Sequence, residues 1–554
     1  MRNKRKGTNK GLIWFLCGLL IATFVLSACS SGDSDVASES PSPKKSESDD
    51  KKGANADKSG SPKEVNLDGV KLSYWVPFGG TSRQEIQDFS QNLAYMEKEK
   101  QTGVKVEWIH PPEGQESETF AIMIASDELP DLIETAEKYK GGIDRAIQDG
   151  IYMNINELCE QYAPNYMKII NSDPELKKEV YSDTGNLMGF SMVCSDLPGD
   201  DWTITRENPW CGPFIRGDWL KELNLEIPET IDDWTEALTQ MKEKYHPEVV
   251  MAIEKAGIQN STGVFVTAFG IAPEFYVKDN KVLWGPAQPE FRDYLQLMHD
   301  WYKEGLIDSD FPTRDGKETE SQYMRGELAA KMQDGTALPL KTESEGIQFV
   351  GAPYPKRSDS SDDIHWTYRN NLDRGYWTVV TRDCKNPEAA VKWMDWGYTV
   401  EGANIMNFGP KGQTYDEKND LGMPQYFEEF APPNWDIKSE VFRRHNGPYL
   451  KSDYRSNPRR SIERLEKFRV VWEEQQKNHD DWHLPPVTLT AEEGAESATI
   501  LSDANTYRDE MLVKFITGTE PLSKFDTYQS TIRGFGIDRA CELYETALKR
   551  YNER

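Results

Sequence analysis

Residues 70–80 read Val70-Lys71-Leu72-Ser73-Tyr74-Trp75-Val76-Pro77-Phe78-Gly79-Gly80, and the fold class turns on this stretch and on the fifty residues after it. Leu72, Tyr74 and Val76 alternate with Lys71, Ser73 and Trp75, the two-residue period of a strand. Gly79-Gly80 ends it. Ile86, Phe89, Leu93 and Met96 then recur at helical spacing up to Gly103, and Val104, Val106 and Trp108 alternate again. Glu116 to Ser126 reads as a second helix, and Asp131-Leu132-Ile133-Glu134 as a short apolar strand. Strand, helix, strand, helix, strand predicts right-handed crossovers and a mainly parallel sheet. Ligands bind such sheets beyond the carboxyl ends of the strands, here the loops after Val76 and Ile133.

Further along, Thr230-Ile231-Asp232-Asp233 has the form of a capping box, followed by Trp234, Leu238, Met241 and Tyr245 on one helical stripe. Pro289-Glu290 opens a helix with Phe291, Leu295, Met298 and Tyr302 inward. Tyr376 to Thr381 reads as a strand, Asn386-Pro387-Glu388 starts another helix, and Thr490-Ala491-Glu492-Glu493 caps the first of the terminal helices. About 490 residues of folding sequence exceed what one core sustains, so at least two lobes are expected, the second beginning near Phe190.

The amino terminus has a different character. Arg2, Lys4, Arg5, Lys6 and Lys10 precede an apolar run from Gly11 to Leu26, which ends in Leu26-Ser27-Ala28-Cys29. A basic start and a short apolar stretch form a secretory signal, here residues 1–28. The small residues before Cys29 predict lipidation of its thiol. An uncleaved anchor helix is the alternative, and either outcome leaves the remaining chain outside the membrane. Residues 29–66 are rich in Ser, Asp, Glu, Lys and Pro and predict a lipidated, flexible tether.

Composition excludes some functions. A formal charge of −28 argues against nucleic acid, whose phosphates demand a basic face. Beyond Cys17 and Cys29, the cysteines at 159, 194, 211, 384 and 541 form neither a disulfide framework nor a zinc spacing, although a Cys194–Cys211 bridge remains open. No nucleophile elbow, His-Glu-x-x-His helix or Walker loop occurs. The 93 acidic residues could supply a glycosidase pair almost anywhere, so carboxylates alone decide nothing.

Several segments in this order resemble the family 1 extracellular solute-binding lipoproteins of carbohydrate-type ABC importers. Phe120 to Ile133 resembles the family's turn "ASGDLPDI", and Phe214-Ile215-Arg216-Gly217-Asp218-Trp219-Leu220 its "WIRKDWL". Phe291 to Asp308 resembles the helix ending in "YKEGLIDPE", Phe408 to Tyr415 its "GIEGxxY" loop, and Leu489 to Tyr551 its terminal helices. The resemblance implies a type II periplasmic-binding-protein-like α/β fold, with two lobes, interlobe crossing strands and extra C-terminal helices. It implies an N-terminal lobe of residues 67–188 plus 325–372 and a C-terminal lobe of 190–324 plus 375–554. It also implies capture of a small polar solute, foremost an oligosaccharide, by a monomer anchored on the extracellular face, and delivery to two permease subunits without turnover. Many relatives carry a calcium loop after the helix matching Ile231–Tyr245. Here His246-Pro247-Glu248-Val249-Val250 offers one carboxylate, so neither calcium nor any other cofactor is expected.

Sugars present apolar C–H faces between rims of hydroxyls, so a sugar site needs aromatic platforms beside polar groups. The expected ligand contacts are Trp75 and Phe78 after the first strand, Trp202 and Trp210 entering the second lobe, and Arg216. Asp334, after an apolar run, and Arg374 and Trp377, near the second crossing, complete the set. Phe214, Gln333, Trp366, Arg369 and Asn371 flank them. Each aromatic has a packing alternative, Arg216 could instead pair with Asp218, and Trp234 and Trp393 are assigned to packing. A secreted carbohydrate-active enzyme (hydrolase or lyase) and a sensor or adhesin lipoprotein without a permease are the competing functions.

Overall fold

Eight strands carry the two main sheets of the computed structural model: β1 (Lys71–Trp75), β2 (Lys105–Ile109), β3 (Leu132–Glu134), β4 (Phe214–Arg216), β5 (Val249–Ala252), β6 (Leu328–Lys331), β7 (Phe349–Gly351) and β8 (Thr378–Val380). The structure describes residues 63–554 apart from 127, 197–201, 207–211, 254–263, 315, 332–341, 343–344, 359–363, 420–422, 432–434, 453–469 and 476–480. The signal segment, Cys29 and most of the expected tether therefore lie outside the described residues.

The first sheet has the order β8-β3-β1-β2. β1 runs parallel to both β2 and β3, as the strand–helix alternation predicts, and β8 closes the edge antiparallel to β3. The helix expected from Ile86 to Gly103 is instead a single turn at Phe89–Gln91 and a helix Leu93–Thr102; Ile86 itself is extended and ends a short helix, Gly80–Glu85. Asn92 causes the restart, because its side-chain oxygen accepts from the amides of Ala94 and Tyr95. Both capping boxes are present: Thr230 with Asp233 starts the helix Ile231–Tyr245, and Thr490 with Glu493 starts the long helix Ala491–Thr517.

The second sheet has the order β7-β4-β6-β5, with β5 and β6 parallel and β4 antiparallel to its neighbours. This corrects the expected division of the chain. Residues 328–331 and 349–351 pair in the second sheet, although the resemblance places 325–372 in the first lobe. β8 joins the first sheet, and Ala390 to Leu450 supply much of its core, although the resemblance places 375–554 in the second lobe. Apolar alternation reveals which face of a strand is buried but not which sheet receives it.

Two large apolar cores result. One gathers Leu72 to Val193 with Leu372 to Leu450, and the other gathers Phe214 to Trp366 with Trp472 and Ala504 to Ala540. Among the described residues the chain therefore changes core three times: between Val193 and Phe214, between Trp366 and Leu372, and between Leu450 and Trp472. Trp234 and Trp393 are fully buried, in keeping with a packing role. At the crossings, the Glu179 carboxylate accepts from the Asp373 amide (2.7 Å) and from Arg206 (3.3 Å).

Candidate functional site

The loops beyond the carboxyl ends of β1, β2 and β3 are held from beneath by buried polar groups. Glu134, the last residue of β3, accepts from the Tyr74 hydroxyl (2.9 Å) and from Arg444 Nη2 (2.7 Å). Burial pushes the Glu134 carboxyl above its usual range, and Arg444 opposes that shift. Thr135 is next, in the left-handed region at φ 59°, so the chain turns sharply off this anchor. Beyond β2, His110 stacks on Phe78 with ring centroids 4.6 Å apart, and its Nδ1 meets the Val76 carbonyl oxygen at 2.9 Å. Burial lowers the His110 pKa and keeps the ring neutral. His110 Nε2 and Thr135 Oγ1 are both buried without a hydrogen-bond partner, a costly arrangement unless another group supplies one.

The chain leaving Thr135 forms one wall of a cavity of about 980 Å³. Phe120, Ala121 and Ile124 of the helix Glu116–Ser126, together with Tyr139, line the first side, and Ala491, Gly494, Ala495 and Ala498 of the long helix line the other. The cavity thus separates an element of the first sheet's layer from a helix whose later turns, from Ala504, sit in the second core. Small side chains on the long helix leave the space open. Lys138, Lys140, Arg145, Asp149 and Asp503 add charge to the lining. Asp149 accepts from the Tyr139 hydroxyl (2.8 Å) and Arg145 Nε (2.9 Å), which hold its carboxyl below the usual range and fix the Tyr139 ring. The volume lies in the upper part of the range for small-molecule sites, about 300–1,000 Å³.

None of the described residues expected to touch ligand lines this cavity. Trp75 is 3 % exposed and packs edge-on to Phe120 at 5.6 Å, so it supports the cavity floor rather than forming it. Phe78 is also core, at 2 % exposure, between His110 and Phe89. Arg216 lies at the end of β4 in the second sheet, where it donates to Asp218 Oδ1 (2.8 Å) and the Gly326 carbonyl (2.9 Å) and covers the Trp219 ring. Its alternative role, a structural pair, is the one this geometry supports. Trp202 is half-buried against the first core.

Near the second crossing, half-buried Trp377 donates to Asp373 Oδ2 at 2.7 Å, and the Arg374 amide donates to the Met192 carbonyl oxygen at 2.8 Å. Burial raises the Asp373 carboxyl to about 7. Trp366, 8 % exposed, stacks on His483. Trp210, Gln333 and Asp334 lie outside the described residues, as does Cys211; Cys194 is buried. Sequence reasoning missed Phe120, Tyr139 and the small-residue face of the long helix. A signal was available: Phe120 to Ala125 is an unbroken apolar run in which only Phe120 is buried.

Residues 79–404 match the sequence pattern of the bacterial extracellular solute-binding proteins. The chain belongs to this family. Among relatives of this extracellular solute-binding protein, the lipoprotein LipO of Bacillus subtilis is 26 % identical over 365 residues, 61 % of this chain and 66 % of LipO. The fructooligosaccharide ABC transporter substrate-binding protein FusA of Streptococcus pneumoniae is 22 % identical over 490 residues, 84 % of this chain and 88 % of FusA. Among solved structures, the alginate-binding protein AlgQ2 without calcium superposes with a TM-score of 0.70 at 22 % identity, covering 88 % of this chain and all of that one. FusA in complex with kestose gives 0.69 at 18 % identity, covering 87 % and 99 %. The expected type II periplasmic-binding-protein-like architecture is therefore the fold of this solute-binding protein.

Proposed function

We propose that this protein captures an oligosaccharide between two hinged lobes and hands it, unaltered, to the two permease subunits of an ABC importer. The observation that carries the reading is the cavity between Phe120 and Tyr139 on one side and the long helix on the other. The half-buried Tyr139 ring suits the C–H face of a sugar, and its hydroxyl, Asp149 and the lysines suit the sugar's hydroxyls. His110 and Thr135, each with a buried unpartnered atom, are further candidates for pairing with hydroxyls. FusA, matched over most of both chains, supports an oligosaccharide cargo by its name, and LipO supports lipidation by its own. The lobes of this reading are residues 67–205 with 370–452 and residues 212–366 with 470–554, joined by the three crossings. Only the closed arrangement gives the cargo both walls, so cargo shifts an open–closed equilibrium.

Cys29 is the proposed lipid attachment point, residues 1–28 the signal and residues 29–66 the tether, with the monomer held on the outer face of the membrane. No calcium is proposed at 246–248: His246 caps one helix at φ 48°, β5 begins at Val249, and only Glu248 supplies a carboxylate between them. A thermal-shift screen of the mature protein against neutral and acidic oligosaccharides tests the function. Melting temperature should rise with the logarithm of one oligosaccharide's concentration above saturation, with the sugar recovered intact. Release of shorter products would favour the carbohydrate-active enzyme instead.

A further inference from the structure

The terminal helix packs into the second core at its start and hydrogen-bonds to the first lobe at its end. The terminal helix Ile537–Glu553 packs on the long helix and contributes Ile537 and Ala540 to the second core. Its end reaches the segment 175–183, whose Leu176 and Val180 are in the first core. The Tyr551 hydroxyl donates to Glu175 Oε1 at 2.9 Å, and Arg554 donates to the Lys178 carbonyl at 2.8 Å and also bonds the Tyr181 carbonyl. Asp183, only 8 % exposed, receives both Arg550 and Arg554. Arg550 continues to Glu493 at 2.6 and 2.9 Å, and Arg554 to Thr488 Oγ1 at 2.8 Å, which returns the network to the start of the long helix.

The position of this network is as informative as its bonds. The helix Pro174–Val180 also presents Glu179, which holds Arg206, within one crossing, and the Asp373 amide, just past the end of another. One short helix therefore grips the crossings on one side and the chain's end on the other. The same long-helix start that binds Arg550 lines the cavity at Ala491 and Gly494.

We propose that the turn formed by Arg550, Tyr551 and Arg554, bound to Glu175, Asp183 and Glu493, is a latch that ties the two lobes together and sets their open–closed balance. The inference rests on the hinged reading given above. Losing Asp183 leaves two guanidiniums without their shared acceptor, and rotating either lobe about the crossings breaks the same bonds. The latch and the cargo then compete or cooperate through one equilibrium, as linkage requires. Because the pairs are partly exposed, salt weakens them.

The test is single-molecule fluorescence transfer on the full mature chain, with dyes at Lys100 on the first lobe and Glu226 on the second, both exposed. Asp183→Asn and Arg554→Gln should each change the ratio of the two interlobe distances by about fivefold or more, and high sodium chloride should move the wild type the same way. Arg539→Gln, which cuts pairs to Glu496 and Glu542 within the second lobe only, should leave the ratio unchanged. Arg554 lies outside both apolar cores, so Arg554→Gln keeps the test alive if Asp183→Asn fails to fold. Two distances in the wild type that neither variant redistributes would overturn the latch and leave the hinge standing. A single fixed distance in every sample would overturn both.

Discussion

Arg444 Nη2 sits 2.7 Å from Glu134 Oε1, with side chains only 10 % and 1 % exposed. The guanidinium also lies over the Phe89 ring, 4.4 Å from its centroid. Breaking a buried pair strands one charge in a low-dielectric interior. Arg444→Met should therefore cost about 3–5 kcal/mol of unfolding free energy, and adding Glu134→Gln should restore a large part of it. Urea denaturation of the single and double variants measures both, and a single variant within about 1 kcal/mol of wild type would contradict the assignment.

Asp373 makes a pH prediction with an unusual sign. Its carboxyl titrates near 7 when folded, chiefly through burial, against about 3.9 unfolded. The folded chain thus keeps this proton longer, so the stability it contributes is complete below about pH 4 and is lost as pH rises through 7. Compared with wild type, Asp373→Asn should gain more stability at pH 7.5 than at pH 4.5, by a few kcal/mol on the order expected from the shift. His483 acts in the opposite direction: burial holds its pKa down to about 3, so acid favours the unfolded chain below about 6.5. The difference between wild type and Asp373→Asn isolates the carboxyl, and a pH-independent difference would refute it.

The cavity can be filled from one wall. Ala498 is exposed and lines it, so Ala498→Phe should occupy the space without disturbing either core. Oligosaccharide affinity should fall by at least about tenfold, and Tyr139→Ala should weaken binding by about three- to tenfold through the lost ring face. Calorimetric titration with the sugar that stabilises the wild type gives both numbers. Unchanged affinity in Ala498→Phe would move the cargo site elsewhere.

The proposed lipid attachment at Cys29 predicts a simple partition. Cys29→Ala should release the protein from the membrane fraction, and mass spectrometry of the wild-type amino terminus should find acyl chains on that thiol. Two chains are the expected number, because one alone binds a bilayer marginally.

Much of the fold could be read locally. The parallel β1–β3 core, both capping boxes and the buried Trp234 and Trp393 come from spacing and cap chemistry within a few residues of each other. Membership of the two sheets could not be read in that way. Leu328-Ala329-Ala330 announces a buried strand, but its partner Val249–Ala252 is chosen by the packing of distant segments. The candidate site was less legible still. Phe120 and Ala495 face the same cavity from opposite ends of the sequence, and nothing local to either indicates the other. Trp75 shows the converse difficulty: a ring at a strand's carboxyl end has the right address for a ligand platform, yet Phe120 covers it.

The triple passage between cores has a consequence for how the molecule is made. The first core contains β1 and, much later in the sequence, Tyr449 and Leu450, so it stays unfinished until synthesis has passed Leu450. The second in turn waits for the helices that close over Trp284 and Phe291. A product stopped at residue 404, where the match to the family ends, would leave both halves with open apolar faces and nothing of their own to close them.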